Sequence, residues 1–236
     1  IEWMKLTARG LAGHGAATNK ENSVTRLAEA VSRIGNHKWP QRITKTNRQF
    51  FKRVAEISGK PFEEDNLQPL LDEVGVLARL ITPTLSNTAN PTMLEAGYKA
   101  NVIPQIASAI VDCRTLPGYE DELLETVKHL AGEHVTVESM ISDIPLEVEF
   151  AGLLVEAMIA AIHSEDPEGI PVPYVVFGGT DNKALAALDI VGYGFAPLKL
   201  PPDLDFGALF HGIDERVPID SLQFGARTLF HFLVNA

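Results

Sequence analysis

Five short stretches of this chain combine residue types that can do chemistry. Gly13-His14-Gly15-Ala16 sets an imidazole between two glycines, where the ring is exposed and the backbone can come close to a ligand. A surface-turn histidine without a role fits the same motif. Asn101-Val102-Ile103-Pro104 and Asp112-Cys113-Arg114 place a carboxamide and a guanidinium at the ends of one β segment, Ile106 to Val111. Arg114 can pair locally with Asp112 or Glu120, and its planar fork also suits a substrate carboxylate. Gly178-Gly179-Thr180-Asp181, between a buried-type strand and a helix, can offer backbone N–H groups to an anion, or can be a tight turn with Asp181 as helix cap. In Phe210-His211-Gly212-Ile213-Asp214-Glu215-Arg216-Val217-Pro218 the imidazole sits in a glycine-containing loop, where it can bind zinc with an open coordination face. The other histidines, His37, His129, His134, His163 and His231, form no i, i+4 or H-E-x-x-H pair. Neither a G-x-S-x-G elbow nor a G-x-G-x-x-G fingerprint occurs, and Cys113, among apolar residues, reads as an inert buried thiol.

These groups need elements to hold them. Trp3 to Ala8 alternates as a strand, and Gly10 to Ala17 is a turn. From Glu21, Val24, Leu27, Ala28, Val31 and Ile34 recur at helical spacing, with Asn19 or Asn22 as N-cap. Residues 36 to 75 read as an elaborated connection with a short helical pattern at Phe50, Phe51, Val54 and Ile57. A β-rich stretch from Val76 to Thr115 is cut by Pro83, Pro91 and Pro104 into several short strands. A helix with Leu123, Leu124, Val127, Leu130 and Ala131 on one side precedes the alternating strand Val135 to Glu138. The order β-α-β-β-α-β predicts a split βαβ layer. After a crossing at Ile141 to Pro145, the pattern predicts a helix burying Leu153, Leu154, Ala157, Met158, Ala161 and Ile162, then strands at Tyr174 to Phe177 and Ile190 to Phe195. A last helix after Pro218 carries apolar Ile219, Leu222, Ala226, Leu229, Phe230 and Leu233.

The 236 residues are 45% hydrophobic, enough for a real core, and no apolar run reaches the ~20 residues of a membrane span. The chain opens inside strand-like alternation at Ile1, which suggests a piece cut from something longer, soluble and without a leader. A net charge of -11 argues against nucleic acid as a partner. The charge is uneven: residues 1 to 60 hold 12 Lys and Arg against 4 Asp and Glu, and the rest hold 8 against 27. One cysteine excludes an internal disulfide and fits a reducing, cytoplasmic setting.

Taken in order, the five motifs resemble the co-catalytic zinc amidohydrolases and exopeptidases that include aminoacylase, carboxypeptidase G, acetylornithine deacetylase and succinyl-diaminopimelate desuccinylase. The resemblance implies an α/β (α+β) chain: a βαββαβ ferredoxin-like lid over residues 1–143, then the C-terminal portion of a zinc-exopeptidase α/β catalytic domain over 144–236. It implies that His14 polarises the scissile carbonyl, often in the partner subunit's site. Asn101, Arg114, Gly179 and Thr180 would hold the substrate's carboxylate end, and His211 would be the last zinc ligand. The implied chemistry is metal-assisted hydrolysis of a small peptide or N-acyl amino acid by a homodimer joined through the lid, with two zinc ions. No segment matches the family's other metal ligands or its general base, so the chain alone is expected to be inactive and to bind zinc poorly. The alternative is a non-catalytic dimerisation or ligand-binding module derived from the lid.

Overall fold

The structure, a computed structural model, describes residues 1–236. Strand β1 (Glu2–Arg9) leads through a short strand β2 (Gly13–His14) into helix α1 (Ser23–Gly35). Helices α2 (Lys45–Ser58), α3 (Gln68–Glu73) and α4 (Ala78–Ile81) follow, the last flanked by 3-10 turns at Gly75–Leu77 and Thr82–Thr84. Then come β3 (Thr88–Ala96), β4 (Val102–Ile103), β5 (Ile106–Arg114), α5 (Glu120–Ala131) and β6 (Val135–Ser142). The remainder holds α6 (Leu153–Glu165), α7 (Asn182–Ala186), a 3-10 turn at Phe206–Ala208 and α8 (Ile219–Asn235).

Contacts divide the chain into two compact units, Ile1–Arg42 with Ser86–Leu146 and Ile43–Leu85 with Glu147–Ala236. By contacts, residues 43–85, read from sequence as part of a connection within residues 1–143, group with the second unit. They carry their own core of Phe50, Phe51, Val54, Leu67, Leu70, Ile81 and Leu85, against which Val172 packs. The Thr46 N–H donates to Glu147 at 2.7 Å and Arg79 pairs with Asp205 at 2.9 Å, tying the excursion to the later sequence. Buried Asn47 is satisfied by the Thr84 carbonyl at 2.8 Å, which removes the penalty of an unpaired amide.

The first unit is the expected βαββαβ layer. Its antiparallel sheet runs in the order β3-β5-β1-β6. Alternation places Met4, Leu6 and Ala8 of β1 and Ala107, Ala109, Val111 and Cys113 of β5 on one face. Leu27, Ala30 and Ile34 of α1 and Leu123, Val127 and Ala131 of α5 close over them. Ala28, expected in that stripe, is exposed. Asn22 is the N-cap of α1, accepting from the Val24 N–H at 2.9 Å. The β-rich stretch begins at Thr88 and not at Val76, because residues 75–84 coil into helical turns. Pro91 does not end β3: the strand lies at the sheet edge, and the register shifts between Pro91 and Met93.

The second unit differs from the sequence reading in three ways. Tyr174 to Phe177 and Ile190 to Phe195 carry strand composition but belong to neither of the two sheets. In α6, Val155 and Ala161 are buried while Leu153 and Leu154 are exposed. In α8 the buried residues are Ser221, Gly225 and Thr228, and the apolar stripe of Ile219, Leu222, Leu229, Phe230 and Leu233 faces outward. Close approach explains the inversion: a Cβ on Gly225 would sit 2.5 Å from the Pro197 carbonyl oxygen, and the Ser221 hydroxyl donates to the Lys199 carbonyl at 2.7 Å. Only small side chains admit the 197–199 backbone. No helix is long and apolar enough to cross a membrane.

Candidate functional site

His14 stands at the end of a small antiparallel pair, in which Gly13 faces Ile103 and His14 faces Val102. The Gly15 N–H donates to the Asn101 carbonyl at 2.9 Å, so the structure brings His14 and Asn101 together. Both are exposed. The loop carrying His14 is pinned at its base. Gly10 N–H donates to the Gln105 carbonyl at 2.9 Å and Leu11 N–H to the Glu21 carbonyl at 3.0 Å. Only glycine fits at position 10, where a Cβ would come 1.8 Å from the Glu21 oxygen. Asn19, read from sequence as a possible helix cap, instead bridges the loop: its Nδ2 donates to the Leu11 carbonyl at 2.7 Å and its Oδ1 accepts from the Glu21 N–H at 2.8 Å. An Asn two residues before a turn's last amide is the sequence signal for this arrangement.

Arg114 ends β5, opposite Thr88 of β3. Its guanidinium engages Asp112 through both oxygens, Nε to Oδ1 at 2.7 Å and Nη2 to Oδ2 at 2.8 Å. Residues two apart on a strand share a face, which decides for Asp112 over Glu120 as the local partner. The segment bearing His14 and Asn101 adjoins the opposite, Ile106 end of β5. At ~3.3 Å per residue the strand spans roughly 26 Å between Ile106 and Arg114. Arg114 is thus far from the His14–Asn101 pair within this unit. Between them in the ladder, Cys113 is sealed: burial first, then the Asp112 and Glu2 charges, push its thiol up to about 12. It is inert as a nucleophile at neutral pH.

Gly179 and Thr180 lie in an exposed turn before α7. That helix has only five residues, and Asp181 makes no side-chain cap to it. His211 is exposed, in a turn with φ of 57°, a left-handed conformation that few non-glycine residues adopt. Arg216 engages the nearby Asp214 carboxylate. No group of three or more His, Cys, Asp or Glu in the structure could hold a metal ion. The residues present therefore do not fit a catalytic zinc, which needs three protein ligands and an open position. An open cavity of about 530 Å³, lined by Glu147, Glu149, Gly152, Val191 and Tyr193 among others, contains none of the residues singled out from sequence.

The family profile described as the peptidase dimerisation domain of the M20 type matches residues 1–137. The N-fatty-acyl-amino acid synthase/hydrolase PM20D1 of Mus musculus is 30% identical over 239 residues, covering 95% of this chain and 46% of the relative. A probable carboxypeptidase S-like 2 of Dictyostelium discoideum is 25% identical, covering 98% and 46%. The chain spans about half the length of the curated relatives it matches. Among solved structures, the di-peptidase Dug1p of Saccharomyces cerevisiae superposes with a TM-score of 0.63 at 13% identity, over 98% of this chain and 53% of that one. At that identity the likeness speaks for the fold alone.

Proposed function

Because the chain belongs to the M20 peptidase dimerisation-domain family, a domain of metallopeptidases and amidohydrolases, we propose that it is the lid and C-terminal part of a zinc-dependent amide hydrolase. That enzyme is an exopeptidase or N-acyl amino acid deacylase working in the cytoplasm as a homodimer joined through the lid. The separation along β5 carries this reading. One copy cannot bring His14 and Asn101 onto the same small substrate as Arg114 across roughly 26 Å of strand. Two copies can, with His14 and Asn101 of one chain reaching a substrate whose carboxylate is held by Arg114 of the other; Gly179, Thr180 and His211 are proposed, each in its own loop, as substrate and zinc contacts. In that arrangement the His14 ring donates to the substrate carbonyl as charge develops on oxygen, and the Arg114 fork turns from Asp112 to the substrate carboxylate.

Zinc supplies the Lewis acid and the bound hydroxide in such enzymes. His211 is the one residue here proposed to touch it, so the 236 residues alone hold zinc poorly and are silent. Dialysis followed by metal analysis, sedimentation, and assay on N-acetylated amino acids and dipeptides test the proposal together. The expected result is a dimer with substoichiometric zinc and no turnover. Two tightly held zincs per chain, or turnover lost in His211→Ala, would show a complete ligand set. A monomer at high micromolar concentration would remove the shared site. The match to a dimerisation domain favours one second reading, a non-catalytic module. An uninterrupted longer polypeptide carrying an H-x-D strand end and a Glu-Glu pair excludes it.

A further inference from the structure

We infer that the loop from Gly10 to Asn22 selects the Nε2–H tautomer of the uncharged His14 ring, and that Asn19 is the residue that positions it. The Ala16 backbone N–H lies 3.1 Å from His14 Nδ1 and donates to it. A backbone amide can only donate. Nδ1 is therefore the acceptor, and the single proton of the neutral imidazole stands on Nε2.

The delivery of that amide is local and closed. The Ala17 N–H donates to the His14 carbonyl at 2.9 Å, folding residues 14 to 17 into a turn that carries the Ala16 N–H under the ring. The Gly15 amide is held on Asn101 and the loop base on Gln105 and Glu21. Asn19 closes the frame with both ends of its carboxamide, to Leu11 at 2.7 Å and from Glu21 at 2.8 Å.

The chemical class of ligand follows. A fixed Nε2–H presents a neutral donor, which suits a carbonyl or carboxylate oxygen. It does not suit a cation, since metal ligation through Nε2 requires moving the proton to Nδ1 and breaking the Ala16 bond. Naming the acceptor as a scissile carbonyl rests on the proposed function; the tautomer does not.

Long-range proton–nitrogen correlation spectra of the intact ¹⁵N-labelled chain read the tautomer directly, with His14→Ala identifying the signal among seven histidines. At about pH 8.5, where ordinary imidazoles are neutral, the expected pattern has a protonated Nε2 and a downfield, unprotonated Nδ1. The reverse pattern, or two nitrogens averaged to intermediate shifts, overturns the inference. Asn19→Ala should move His14 toward the averaged pattern while His129 and His134 keep theirs. An unmoved His14 signal in Asn19→Ala removes the positioning role of Asn19. A fixed Nε2–H that shows no shift on titration with N-acetyl amino acids and dipeptides in the dimer counts against the proposed function and leaves the tautomer standing.

Discussion

Helices α1 and α8 both carry apolar stripes and use them in opposite ways. Helix α1 buries Leu27, Ala30 and Ile34 against β1 and β5. In α8 the buried residues are Ser221, Gly225 and Thr228, and Phe230 and Leu233 remain 63% and 74% exposed. Periodicity shows that a helix has an apolar side; it does not show what covers that side. Where a sheet lies beside the helix, the stripe fills it. Where a backbone segment crosses within touching distance, small residues win the contact and the apolar stripe is left exposed.

The strongest test of this contrast is truncation. Leu27→Ala should cost about 2–5 kcal/mol of unfolding free energy, because a fully buried leucine leaves a cavity beneath α1. Leu233→Ala, equally apolar on paper, should stay within about 0.5 kcal/mol in the isolated chain. Equal losses in urea unfolding would erase the distinction. Next in size, Gly225→Val should destabilise the second unit by about 1–3 kcal/mol, since its Cβ meets the Pro197 carbonyl, whereas Ala226→Val on the exposed side should be nearly silent. Asn22→Ala removes the side-chain cap of α1 and should cost about 1 kcal/mol, with Asn22→Asp recovering most of it.

Two titrations sharpen the comparison further. Cys113 has its thiol raised to about 12 in the folded state. The unfolded thiol ionises near its ordinary value of about 8.5, so the folded state holds the extra proton above that pH and stability falls as pH rises from there toward 12. Cys113→Ser should flatten that decline, and the native thiol should resist alkylation at neutral pH. In the second unit, the hydrogen bond from Arg227 holds the Glu165 carboxyl below its usual range, its 2.6 Å ion pair bridging α6 and α8. That contribution is present above the ordinary glutamate pKa of about 4.3 and is lost as pH falls through the lowered value. A shallower acid limb of the denaturation curve in Arg227→Ala is the expected, and smallest, effect.

The same contrast explains what could be read in advance. The strands β1, β5 and β6 and the helices α1 and α5 were legible because alternation and helical spacing coincide with the partners that satisfy them. In the excursion from 43 to 85 the helical pattern at Phe50, Phe51, Val54 and Ile57 was legible and its core was not, since Phe50 and Phe51 meet Leu67, Leu70 and Ile81 only once three helices have formed. Tyr174 to Phe177 has strand composition without a ladder, and composition cannot supply one. Within the site, the Arg114–Asp112 pair follows from a spacing of two on a strand. The nearness of His14 to Asn101 rests on a two-residue ladder too short to leave a periodic trace.

The irregularity in β3 has a consequence for assembly. An exposed sheet edge can recruit one strand after another without limit, the geometry from which fibres grow. With a proline and a shifted register in the middle of β3, an incoming strand finds two short stretches of edge and no long, flat one. Recruitment along that edge is thereby limited to a few residues at a time, which works against an open stack of strands growing from β3.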